Sequence, residues 1–146
     1  MRRILALLLA LWCVPAGAQT PFTSGVNAGT QRVLGTIRGA NFNVTTDQPI
    51  PISAAVYQIT GIIVTNCSAS LTLAAGGFYP TTAKGGTAIV AAGQVYTALT
   101  AATITLNATI AAGAVRYTVT PVYLSLTAAQ GSAATCDVYV VGQDLT

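Results

Sequence analysis

The sequence predicts an all-β protein: a single β-sandwich of about eight short strands with jelly-roll or Greek-key connections. Three observations lead there. Short segments rich in Val, Ile, Thr and Tyr recur between Gly, Pro, Asn and Ser turns. Helix-favouring Glu, Lys and Met are nearly absent beyond the first residues; Lys84 is the lone exception. Two cysteines, Cys67 and Cys136, sit at the end of one strong strand segment and the start of another, so a bond between them would bring distant strands together.

Taken in order, "QRVLGTIR" (31–38) reads as a first strand. "NFNVTT" (41–46) alternates, with Phe42 and Val44 on one face. "PIPI" (49–52) puts Pro49 and Pro51 on one side and Ile50 and Ile52 on the other. Proline cannot donate to a ladder, so this segment belongs at a sheet edge. "VYQITGIIVTN" (56–66) is apolar on both faces, as a central strand is, and "SLTL" (70–73) follows a turn at Cys67-Ser68. "TAIVAAGQVYTALT" (87–100) fits a short helix or two short strands. "ATITLNATI" (102–110) sets Ile104, Leu106 and Ala108 opposite Thr103, Thr105 and Asn107. "AVRYTVTPVYLSLT" (114–127) gives strands on either side of Pro121, and "TCDVYVVG" (135–142) is the last strand.

Ahead of these elements, "MRRILALLLALWCVPAGAQT" combines a basic pair, an apolar run from Ile4 to Val14 and the small-residue site Ala16-Gly17-Ala18. This is the pattern of a secretory signal peptide, expected over residues 1–18. The apolar run is too short for a bilayer core of ~30 Å. Residues 19–30, "QTPFTSGVNAGT", are aperiodic and polar and read as a flexible arm, leaving 31–146 for the sandwich domain. Cys13 leaves with the leader. In an exported chain the remaining Cys67 and Cys136 are expected to form one disulfide, closing a loop of about 70 residues and contributing roughly 4 kcal/mol.

Charge narrows the function classes. Six basic and three acidic residues become four against three once Arg2 and Arg3 are removed. Four scattered cations do not build a phosphate-tracking surface, so nucleic acid is not an expected partner, nor is a membrane after leader removal. With no His and no Glu anywhere, the chain lacks the usual general base for a nucleophilic triad. Asp47, Asp137 and Asp144 are its only acidic side chains, too few to suggest a hydrolytic pair or a calcium cage, and Asp137 and Asp144, flanking the last strand, are expected to be solvated or in turns. No catalytic residue, metal or cofactor is expected.

The stretch "LAAGGFYPTTAKGGTAIV" (73–90) carries two glycine pairs around Lys84. A phosphate-cradling loop needs its Lys directly after the final Gly and a helix beyond it; here Lys84 precedes the pair and Pro80 interrupts. Thr81-x-x-Lys84 matches the first element of a penicillin-interacting site without its companions. The glycines are read as turn formers, with the intervening segment an exposed loop presenting Phe78, Tyr79 and Lys84 as the candidate contact surface. The tyrosines in the strands are expected to pack their rings and leave their hydroxyls wet. The triplets beginning at Asn43, Asn66 and Asn107 match the N-glycosylation acceptor and are read as chance occurrences in a Thr-rich chain.

"GTIRGANFNVTTDQPIPI", "TGIIVTNCSASLTLAAGGFYPTTAKGGTAIVAAGQVYTALT" and "PVYLSLTAAQGSAATCDVYVVGQDL" together resemble small proteins from the structural-gene regions of tailed phages and prophages, over roughly residues 35–145. The resemblance implies a non-enzymatic virion component such as a decoration or tail-surface subunit. The added leader and cysteines point to an exported relative or a surface-assembly subunit. The expected function is therefore a non-enzymatic structural or assembly protein that self-associates or joins a larger protein assembly. A secreted binding module for a cell-surface or glycan ligand is the alternative.

Overall fold

The computed structural model describes residues 30–100, 105–111, 115–118 and 121–146. The expected leader (1–18) and nearly all of the expected arm (19–30) lie outside them, as do Thr103 and Ile104. Among the described residues the protein is all β: β1 (Gln31–Asn41), β2 (Gln48–Ile50), β3 (Tyr57–Thr65), β4 (Ala75–Tyr79), β5 (Leu106–Ala108), β6 (Arg116–Tyr117), β7 (Val122–Ala128) and β8 (Thr135–Asp144). One antiparallel sheet has the order β1-β8-β3-β5, with β6 also on β3; the other has the order β2-β7-β4.

The pairing is nested. The first strand pairs with the eighth, the second with the seventh and the third with the sixth; the fourth is bridged to the segment just after it, through Phe78 and Val90. This is a long hairpin folded over on itself, the jelly-roll arrangement the sequence suggests. Single bridges join the two sheets at both margins, Gly35 to Ile52 on one side and Val90 to Ile110 on the other. These bridges cover sheet edges without continuous ladders, so the architecture is a sandwich with short protected edges.

The central position of β3 and the edge position of β2 follow the sequence reading. Ile50 and Ile52 are buried, while Pro49 and Pro51 are exposed. The apolar run in β3 has a different cause from the one expected. A bulge between Ile59 and Gly61 shifts the phase of alternation, so Tyr57 and Ile59 face the core before it, and Ile62 and Val64 after it. The run is two half-strands of opposite parity, not a strand buried equally on both faces. β1 bulges opposite the Val140–Val141 step of β8, and β3 opposite the adjoining Val141–Gly142 step. A side chain at Gly142 would collide with the Gln58 carbonyl and Leu34, so only glycine lets the three strands meet there.

Four expected elements differ. Residues 42–46 turn away instead of extending β1, because Phe42 is drawn completely into the core, edge-to-face with Tyr96 at 5.1 Å between ring centroids. Residues 70–73 form a loop, with Ala74 and Leu73 amides held by the Gln130 side chain. The ambiguous 87–100 segment is neither helix nor regular strand; it consists of turns with single bridges at Val90 and Val95. Of the expected 102–110 strand, the described residues form β5 and a single bridge at Ile110, with Ala108 inward and Asn107 exposed as its alternation requires.

One core fills the sandwich, with Leu34, Ile50, Tyr57, Ile62, Phe78, Leu124 and Val140 among its fully buried members. Each large apolar side chain so buried contributes about 1.5–3 kcal/mol. Cys67 and Cys136 are disulfide-bonded, with Cα atoms 4.1 Å apart. Such a bond suits an extracellular setting. Among the described residues, no helix is long and apolar enough to cross a membrane.

Candidate functional site

The glycine stretch folds differently from its expected form. Gly76 and Gly77 are not turn residues but part of β4, and Phe78 and Tyr79 continue it. Side chains at Gly76 and Gly77 would strike Leu126 and the Val90 carbonyl, so these glycines permit close backbone packing. Phe78 is fully buried and Tyr79 only 4 % exposed, so neither is an exposed contact residue. The physical reason is that β4 pairs with the central strand β7 at Leu124 and Tyr123, while the segment at Val90 bridges to Phe78 on its other side. Of the expected contact trio, only Lys84 is exposed.

Beyond Tyr79 the chain makes a tight turn. The Gly85 amide donates to the Thr82 carbonyl at 3.0 Å, and both intervening residues, Ala83 and Lys84, have positive φ, 55° and 58°. This is the geometry of a type I′ turn, which normally calls for Asn and Gly at those two positions. The strain is held from outside: the Ala83 amide donates to Asp47 Oδ2 at 2.6 Å. Asp47 directly precedes β2, and its neighbour Gln48 pairs with Leu124. The turn therefore lies over the outer face of β7, where Ser125 is completely buried. The Ser125 Oγ meets no partner in full hydrogen-bond geometry, yet its proximity, with the Ala83 amide and then Lys84, holds the Asp47 carboxyl below the usual carboxylate range.

The other two acids have the same kind of duty. Asp137 accepts from Asn66 Nδ2 at 3.0 Å and from the Gly39 amide at 2.9 Å. Gly39 (φ 66°) lies in a bulge of β1, and Asn66 is also left-handed (φ 51°). Those two bonds, followed by nearby Arg38, lower the Asp137 pKa. Asp144 accepts from the Thr146 hydroxyl at 2.6 Å, from the Thr146 amide at 3.0 Å, and from Arg32, and its pKa falls to about 2. Asp137 lies inside β8 and Asp144 is its last residue; both are only 8 % exposed, neither solvated nor in a turn as expected. The hydroxyl of Tyr96 is likewise not wet: it donates to the Gly76 carbonyl at 3.1 Å in the core.

A cleft of about 320 Å³ opens where the two sheets part below β4 and β6. Pro80, Thr81 and Thr87, the stems of the strained turn, form one wall; Val115, Arg116, Tyr117 and Thr118 form the other. Tyr117 stacks on Tyr57 with ring centroids 5.7 Å apart, which anchors that wall to the core. Arg116 pairs with Gln58 in the ladder and is exposed. No three His, Cys, Asp or Glu residues group as metal ligands among the described residues. Sequence reasoning missed this cleft because one wall is placed by the β3–β6 pairing, and β6 is only two residues long.

The fold and these contacts define a disulfide-bonded jelly-roll sandwich whose acids brace irregular backbone. Comparison with protein-family models, curated proteins and solved structures returned no match.

Proposed function

We propose that this protein is a non-enzymatic structural subunit, exported or displayed on a virion surface, that self-associates or joins a larger protein assembly. The observation that carries the reading is the employment of the carboxylates. All three acids of the chain are ionised hydrogen-bond acceptors that hold backbone or the chain end in place. Asp137 and Asp144 are seven residues apart on a regular strand, roughly 20 Å at ~3.3 Å per residue, and on opposite faces. Carboxylate pairs that hydrolyse glycosides sit about 5–9.5 Å apart.

The surface adds support. Charged residues make up 6 % of the chain, against about 25 % in ordinary soluble domains. So little charge offers weak resistance to association. Val33, Leu73 and Val95 are roughly half or more exposed, which provides apolar contact points. Sedimentation velocity over a wide concentration range tests the reading. Reversible self-association, or co-sedimentation with particles, is expected; a strict monomer at the highest concentrations overturns it.

The cleft favours a second reading, a secreted binding module for glycans. A glycan array probed with the wild-type protein and with a cleft-filling Thr87→Phe variant tests it; binding that the variant loses is the expected result.

A further inference from the structure

We infer that the cleft beside Arg116 is a binding site for a small carboxylate-bearing saccharide of the uronic-acid type. The inference rests on the binding-module reading and names the ligand class of that site.

It begins with where the charges go. Beyond the leader there are four cations and three acids. Arg32 forms an ion pair with Asp144, Arg38 acts on Asp137, and Lys84 acts on Asp47. Among the described residues Arg116 forms no ion pair with a carboxylate, and it lies on the wall of the cleft. A guanidinium is permanently charged and offers a planar fork of donors that matches a carboxylate. In a domain this poor in charge, a cation with no ion pair among the described residues sets the sign of the local field.

The surroundings set the rest of the ligand. Thr87 and Thr118 are exposed cleft residues whose hydroxyls both donate and accept, as sugar hydroxyls require. Pro80 and Val115 add apolar surface for a ring face. The volume is at the small end of the ~300–1,000 Å³ range of ligand pockets, which suits one or two sugar rings. Both walls are rigidly founded: one on the Asp47-braced turn, the other on the Tyr57–Tyr117 stack. A preformed cleft avoids the ordering cost that a floppy one would meet.

The test is isothermal titration of the purified protein with glucuronate, glucose and acetate, alongside Arg116→Gln, Arg116→Lys, Thr87→Val and, as a control, Arg38→Gln. Saturable glucuronate binding is expected, at least tenfold tighter than glucose or acetate. Arg116→Gln should weaken it tenfold or more, Arg116→Lys and Thr87→Val less, and Arg38→Gln not at all. Thermal melts matched to wild type establish that the variants are folded; Arg116 is exposed, and Thr87→Val probes the opposite wall independently. Glucose binding as well as glucuronate, acetate binding as tightly, or an unchanged Arg116→Gln each overturns the inference. Array binding that requires the cleft, while glucuronate stays inert, sinks this ligand class and leaves the binding-module reading standing.

Discussion

The Asp47 carboxylate and the Ala83 amide are 36 positions apart in sequence and 2.6 Å apart in space. That bond holds a turn in which two consecutive residues with side chains adopt the left-handed conformation. Asp137 does the same for Gly39 and Asn66. The protein thus uses its scarce acids as braces on backbone that would otherwise relax.

Removing the first brace has a local signature. Asp47→Ala should destabilise the fold by about 1 kcal/mol, the net worth of a partly exposed hydrogen bond to a charged group. Amide exchange at residues 81–86 should accelerate well before that of β7. Uniform exchange across both segments would refute the brace.

Relieving the strain should work in the opposite direction. A left-handed residue with a side chain costs about 1–2 kcal/mol, part of which glycine returns through its greater freedom in the unfolded chain. Ala83→Gly should therefore raise stability by roughly 0.5–1 kcal/mol in urea titration. A loss of stability would show that the positive φ carries little strain.

The glycines divide into two groups. Side chains at Gly77 and Gly142 would strike backbone carbonyls, whereas at Gly61 and Gly93 nothing lies within 4 Å. Alanine at either of the first two should cost about 1–3 kcal/mol or prevent folding. Alanine at either of the second two should be tolerated. Thermal melts of the four variants decide the matter, and a severe Gly61→Ala defect would contradict the packing described.

Stability should be level across neutral pH and fall at both extremes. Asp47, Asp137 and Asp144 have pKa values lowered from 3.8, Asp144 to about 2, so the unfolded chain takes up protons first as pH drops. Their contribution is complete above the unfolded value and disappears as pH falls through the folded ones. Burial, then the neighbouring Tyr117, raises Tyr57 from 10.0 to about 12, so its contribution disappears as pH climbs through that range. The chain has no His, and Cys67 and Cys136 are bonded, so the side chains that ordinarily titrate near neutrality are missing from the domain. Urea midpoints measured from pH 2 to 12 should trace that plateau; a step near pH 6–7 would contradict it.

Reduction tests the disulfide. With its two cysteines 69 positions apart, its loss should cost about 4 kcal/mol in the chain-entropy model. Paired urea titrations with and without reductant should differ by that amount, and coincident curves would assign it no stabilising role.

The amino-acid order by itself determined the class of fold, the strand segments with clean alternation or β-branched runs, the edge position of Pro49-Ile50, and the partnership of Cys67 with Cys136. Each is a local preference or a count, and each can be read from neighbours along the chain. Only the tertiary structure decided that Phe78 and Tyr79 are buried, that Gly76 and Gly77 serve close packing, and that Asp137 and Asp144 brace the fold. It also decided that Arg116 and Thr87 line one cleft. Burial and charge pairing depend on which strands become neighbours, and in a nested topology those neighbours are far apart in sequence. An exposed aromatic loop and a buried aromatic strand have the same letters; the sheet that closes over them makes the difference.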